Sequence, residues 1–221
     1  HQLLPFTLQE VLHLVILGCN VLAAFIPHRG AATIGTNVIL PSDYSLLYGT
    51  SMACPHASGV AAIMKSAHPQ WTAAAIRSAL VTNASPLDNT QNPIRDYGYP
   101  SQYASPLAIG TGQIDSDKAL DPGLIYDANP KDYVKLLCDL KYTQKQILII
   151  TRSTSYNCAK PSFDLNYLSF IAFYSNRTRS VVHKIRRTVT NVGDGAAIYR
   201  AKVTQLKGSM VTVSPETLTF R

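Results

Sequence analysis

The residues best placed to do chemistry lie in one run, Gly49-Thr50-Ser51-Met52-Ala53-Cys54-Pro55-His56-Ala57-Ser58-Gly59-Val60-Ala61-Ala62. Gly49 allows a tight turn, or a close approach, where a side chain would obstruct. Thr50 and Ser51 open an apolar stretch with helical character, where hydroxyl residues cap and the first N–H groups lack intrahelical partners. Pro55 then falls in or near the first turn, where a missing N–H does least harm. Ala57, Ser58, Gly59, Ala61 and Ala62 line the next turns, and side chains that small suit a helix gripped by neighbours. A serine here holds its Oγ at the positive end of a helix, and its own N–H is a donor for a developing oxyanion. The chemistry on offer is nucleophilic attack on a carbonyl; the plain alternative is a well-capped core helix.

Taken whole, the run resembles the nucleophile segment of the subtilisin-like serine proteases, and its Cys-Pro-His form resembles the plant branch. The resemblance implies Ser51 as nucleophile, Cys54 as a small buried apolar residue and His56 as structural. In the subtilisin order the catalytic Asp and His precede the Ser. Only fifty residues stand before Ser51, and nothing in them resembles the family's catalytic histidine motif. His13 and His28 lie in unmatched segments, and Asp43 reads as a turn residue. A serine without a base is a weak nucleophile, so this chain alone is expected to hydrolyse peptides poorly or not at all. Tyr48 is a further departure, since the family has a small residue before Gly-Thr-Ser.

Several other blocks carry the same resemblance in family order. Gly18, Asn20, Leu22, Ala23 and Ala24 match a segment shortly before the nucleophile, but upstream of Gly18 the match stops abruptly. Residues 1–17 therefore read as a spliced, frame-shifted or degenerate start. The block from His68 to Leu80 resembles the helix after the nucleophile helix, and Asp121 to Asp127 the close of the catalytic domain. Arg187-Thr188-Val189-Thr190-Asn191-Val192-Gly193 resembles the fibronectin-III-like module behind plant subtilase catalytic domains. Cys138 and Cys158 match a disulfide pair of that branch. Two sequons, at Asn83 and Asn176, are glycosylation candidates in a secreted chain.

Composition agrees with a core-forming protein: 221 residues, 46% hydrophobic and 15% charged. The net charge of +7 raises a nucleic-acid reading. Yet Arg177, Arg179, Lys184, Arg186 and Arg187 alternate with Val181, Val182 and Ile185, as on a half-exposed strand rather than in a phosphate-tracking groove. The apolar run from Val11 to Ile26 has no basic residue before it and is short for a membrane span of about 20 residues. No Cys/His spacing suits zinc and no Gly-rich phosphate loop precedes a helix, so no cofactor or metal is expected.

The elements that must hold Ser51 can be read from the pattern. Asn20–Phe25 reads as a buried strand, 28–43 as loop, and Tyr44–Tyr48 as a short strand delivering the Gly49 turn. A helix over 51–67 carries Val60, Ile63, Met64 and Ala67 on one face. Thr72 caps a second helix, with Trp71 packed before it, and 132–138 is a short amphipathic helix. Strands are expected over 181–192, 198–203, 210–213 and 218–220. Such a sandwich needs about seven strands, so the module is cut short.

The expected fold class is α/β: residues 1–155 as the C-terminal part of a subtilisin-like three-layer parallel-sheet domain, and 162–221 as an incomplete all-β fibronectin-III-like sandwich. The expected activity is that of a subtilisin-like serine endopeptidase acting on peptides or proteins, outside the cell or in the secretory route. The alternative is a truncated or degenerate relative that binds without cutting. Neither nucleic acid nor membrane is an expected partner. A parallel sheet without its first strands exposes apolar edges, and the isolated chain is expected to aggregate.

Overall fold

The computed structural model describes residues 14–96, 98–170, 182–205 and 208–221. His13, Asn176, Arg177, Arg179 and Val181 lie outside them. In chain order the elements are β1 (Val21–Ala24), β2 (Ala32–Ile34), β3 (Val38–Leu40), β4 (Tyr44–Leu47), α1 (Thr50–Ala67) and α2 (Ala73–Thr82). Next come β5 (Arg95–Asp96), β6 (Tyr99–Tyr103), α3 (Pro106–Ile109), α4 (Ser116–Leu120), β7 (Leu124–Ile125), α5 (Pro130–Asp139) and α6 (Gln144–Thr151). The chain closes with β8 (Thr190–Asn191), β9 (Ala197–Arg200) and β10 (Thr217–Phe220).

The architecture is mixed α/β. Among the described residues the named strands pair antiparallel in twos, and parallel pairing is confined to the single bridge between Val15 and Gln113. β1 pairs with β4 so that Leu22 faces Leu46 and Ala24 faces Tyr44. The stretch expected as loop, 28–43, holds the β2–β3 hairpin.

The core gathers behind α1. Met64, Ala75, Ala79, Leu80, Ala119 and Ile125 form one buried cluster, with Trp71, Ile76, Val60 and Val192 packed against it. Alanines dominate because α1, α2 and α4 approach closely, and small side chains let helices do so. Ser78 is the one fully buried polar side chain among the described residues, and its Oγ accepts the Tyr126 N–H at 2.9 Å, so its burial leaves no unmet bond there. A second cluster joins Val134, Cys138 and Ile147 of α5 and α6.

Local signals explain the helix starts. Thr72 accepts the Ala75 N–H at 3.0 Å and donates its hydroxyl to Asp127 at 2.5 Å, which caps α2 and ties it to the chain after β7. Trp71 stacks on His68 with ring centres 3.9 Å apart. Asn129 and Thr143 each close a capping box, with Asp132 and Gln146. The Thr143-x-x-Gln146 spacing is the local signal for α6, a helix absent from the expected elements.

The last third departs furthest from expectation. In place of a strand over 181–192, only Thr190–Asn191 pairs, although side-chain exposure alternates from Val182 to Thr190 as on a strand. Lys184 and Arg186 point out, whereas Arg187 turns in and donates from Nε to the Tyr167 carbonyl at 2.6 Å. Burial lowers the Arg187 pKa, and Asp164, 3.9 Å away, opposes that shift. Residues 210–213 are not a strand.

β8 does not pair within its own module. It lies against β7, with Leu124 opposite Asn191 and Ile125 opposite Thr190. The Val192 N–H donates to the Gly123 carbonyl at 2.8 Å. Gly123 has φ +68, and a Cβ there would stand 2.7 Å from the Tyr199 hydroxyl, so a larger residue would be strained and would push Tyr199 aside. Tyr199 in turn donates to Asn191 at 2.9 Å. Val192 thus enters the same core as Met64 of α1.

Candidate active site

Ser51 is the second residue of α1 and is exposed. The turn that delivers it is made by Gly49, whose φ of +136 is closed to side-chain-bearing residues. The Gly49 N–H donates to the Gly18 carbonyl at 2.7 Å, so the β1–β4 pair runs directly into the helix start. Gly49 is the N-cap and makes no side-chain cap, contrary to the expectation that Thr50 and Ser51 would cap. The Met52 and Ala53 N–H groups donate to the Gly49 carbonyl at 3.0 and 3.3 Å. Those of Thr50 and Ser51 have no acceptor among the described residues. An exposed hydroxyl and two free N–H donors therefore meet at the positive end of an eighteen-residue helix.

Pro55 stands one turn further in, inside α1 rather than at its edge. A proline there removes the hydrogen bond that the Ser51 carbonyl would accept. Side chains supply extra bonds in this part of the helix. His56 donates from Nδ1 to the Met52 carbonyl at 2.7 Å, and Ser58 donates to the Cys54 carbonyl at 2.9 Å. His56 is thus engaged with its own helix.

The structure corrects two readings of α1. Cys54 is exposed, not buried, and is a free thiol like Cys19. Ile63 and Ala67 are also exposed, and Met64 is the one buried residue of the helix. The cause is shared: the helix is covered on the side of α2 and α4 but has no neighbour on the other among the described residues. β1, expected as a buried strand, is half exposed for the same reason.

Of the remaining candidates, Cys138 and Cys158 are joined, with Cα atoms 5.3 Å apart, and the bond ties α5 to the chain after α6. Asn83 is half-buried at the end of α2, and its amide donates to the Ala79 carbonyl at 2.9 Å. His28 and Asp43 are exposed in the segments around the two hairpins, and the Asp43 carbonyl accepts the Phe25 N–H. His68 bonds the Leu120 carbonyl through Nε2. Tyr48 is 81% exposed, directly before the Gly49 turn. Among the described residues no group of His, Cys, Asp and Glu is placed to hold a metal ion, and no helix is long and apolar enough to cross a membrane.

Comparison with known proteins bears on both halves of the chain. Residues 13–100 match the Subtilase family, and residues 164–221 match a fibronectin type-III domain. Subtilisin-like protease SBT3 of Solanum lycopersicum is 53% identical over 207 residues, which are 92% of this chain and 27% of that protein. Subtilisin-like proteases SBT1.5 and SBT1.6 of Arabidopsis thaliana are 42% and 41% identical over 92% and 94% of this chain, again 27% of each relative. The chain thus spans about a quarter of the length of the curated relatives it matches. A serine at a glycine turn on a small-residue helix, a subtilase match around it and a fibronectin type-III match behind it agree, and the chain belongs to the plant subtilisin-like proteases of the subtilase family.

Proposed function

We propose that this chain carries the nucleophile of a subtilisin-like serine endopeptidase, with Ser51 in that role and peptides or proteins of the secretory route as substrates. The observation that carries the reading is the exposed Ser51 hydroxyl beside two N–H groups, at the start of α1, that have no acceptor among the described residues. In the reaction, Ser51 Oγ bonds to the scissile carbonyl carbon while a base takes its proton. The Ser51 N–H donates to the oxygen that becomes negative. Collapse expels the amine, which receives the proton, and water then releases the acyl group from Oγ. The base and its carboxylate partner precede the serine in the subtilisin order. We assign them to subtilase sequence upstream of residue 13, where the family match begins.

A chimera tests the assignment. Residues 44–67 of this chain replace their counterparts in the tomato relative, and hydrolysis of a chromogenic peptide is followed. Activity is expected with Ser51 present and a loss of about 10⁶-fold in kcat on Ser51→Ala. A folded but inactive chimera, or activity that survives the alanine, would refute it.

A second reading is a relative that binds without cutting, in which Ser51 has no base: His56 and His68 are each held by a backbone carbonyl. Under it, the folded chimera is inactive.

A further inference from the structure

Gly49 leaves an open space at the start of α1. A Cβ built there would meet, apart from its chain neighbours, only Ser51 among the described residues: Oγ at 3.6 Å and the backbone nitrogen at 4.0 Å. The hydroxyl therefore stands over the gap that the glycine leaves, and a substrate carbonyl that reaches Oγ has to enter it. Tyr48 borders the same gap from the other side. Its Cα is one peptide unit, about 3.8 Å, from that of Gly49. At 81% exposure it is the most exposed Tyr, Phe or Trp among the described residues, at a place where the family has a small residue. A ring so little covered contributes almost nothing to the packing of the chain around it.

A peptide lying extended across Ser51 advances about 3.3 Å per residue, which sets the Tyr48 ring against a residue next to the scissile bond. The surroundings narrow what that residue can be. A tyrosine ring offers an apolar body and pairs with other aromatic rings in offset or edge contacts. Its negative face is attractive to a cation and unfavourable to a carboxylate. The first turn of α1 holds no acidic side chain, however, and the positive end of the helix opposes Lys or Arg. Uncharged apolar residues are left without a penalty, and aromatic ones gain most.

We propose that Tyr48 selects among the substrates of Ser51, favouring peptides with an aromatic residue directly beside the bond that is cut. The inference rests on Ser51 as the nucleophile and adds a substrate class to that reading.

The chimera carrying residues 44–67 tests it, with internally quenched peptides that differ only at the two residues flanking the cleaved bond. Phe, Leu, Gly, Glu or Lys is placed first on the acyl side and then on the leaving side. At one flank Phe should be cut faster than Gly, with Glu and Lys behind. Tyr48→Ser should lower the Phe-to-Gly ratio of kcat/KM at that flank by about two- to tenfold, and Tyr48→Phe should keep it. A role confined to holding the fold would change all peptides alike and leave the ratio where it was. The proposal is overturned if Tyr48→Ser leaves the ratio unchanged at both flanks, or raises it, as a ring that only blocks the site requires. A folded, inactive chimera refutes the Ser51 assignment instead. The tomato relative, with its own nucleophile, then carries the test: tyrosine at the position matching Tyr48 should raise its Phe-to-Gly ratio by the same factor, and no rise overturns selection by Tyr48.

Discussion

Met64 and Ile63 are neighbours on α1 with opposite surroundings, and replacing each by alanine separates core anchoring from surface pattern. Met64 is 0% exposed and is the one buried residue of an eighteen-residue helix; Ile63 is 56% exposed. Removing a buried Met side chain costs about 2–5 kcal/mol, and more where the surroundings cannot relax into the space. Around Met64 stand Ala75, Ala79 and Ala119, which have no rotamers with which to fill a void. The expected cost is therefore in the upper half of that range, about 3.5–5 kcal/mol. Ile63→Ala removes little buried area and gains a few tenths of a kcal/mol of helix propensity, so its net effect should lie within about 0.5 kcal/mol of zero. Urea unfolding monitored by circular dichroism measures both, with amide exchange along α1 as the local readout. The reasoning fails if the two variants shift the midpoint equally, or if Met64→Ala costs less than about 1 kcal/mol.

Four further outcomes are expected. Cys138→Ser should destabilise by about 3 kcal/mol through the twenty-residue loop it opens, read as a lower urea midpoint that reduction of the parent reproduces. Thr72→Ala should cost about 1–2 kcal/mol, since it removes both a helix cap and the bond to Asp127; an unchanged melting temperature would refute that. Burial raises the Tyr167 pKa, with Arg77 opposing, so its stabilising contribution is complete below about pH 10 and is lost as pH rises through the folded value. Melting temperatures of the parent and Tyr167→Phe should therefore converge above pH 10, and a constant gap would refute the assignment. Residues 162–221 expressed alone should give a poorly dispersed NMR spectrum, because β8 has its partner in β7.

The features legible in the chain and those hidden from it divide along physical lines. The bounds of α1 and α2, the Thr72 cap and the Gly49 turn rest on interactions within a few residues, and a local pattern carries those. Burial is different. Nothing local tells Ile63 from Met64, or shows Cys54 exposed, because that depends on which side of α1 another helix lies. The β2–β3 hairpin is masked by glycine-rich composition, and its registry, with Ala32 opposite Leu40, comes from pairing rather than propensity. The stretch over 182–190 keeps its alternation and yet forms a strand only at Thr190–Asn191, since a ladder needs a partner that the pattern does not specify. At the candidate site the serine is legible, as are its turn and helix. The engagement of His56 with Met52 and the place of Pro55 inside the helix depend on three-dimensional geometry.

The contact between β7 and β8 also sets an order of events in time. Leu124 and Ile125 must wait for Thr190 and Asn191 to leave the ribosome before either pair can form its ladder. The cluster around Met64 stays open until Val192 arrives. Closing so long a loop is entropically dear before any contact rewards it, so the helix bearing Ser51 reaches its final packing late, only after Val192 has been made.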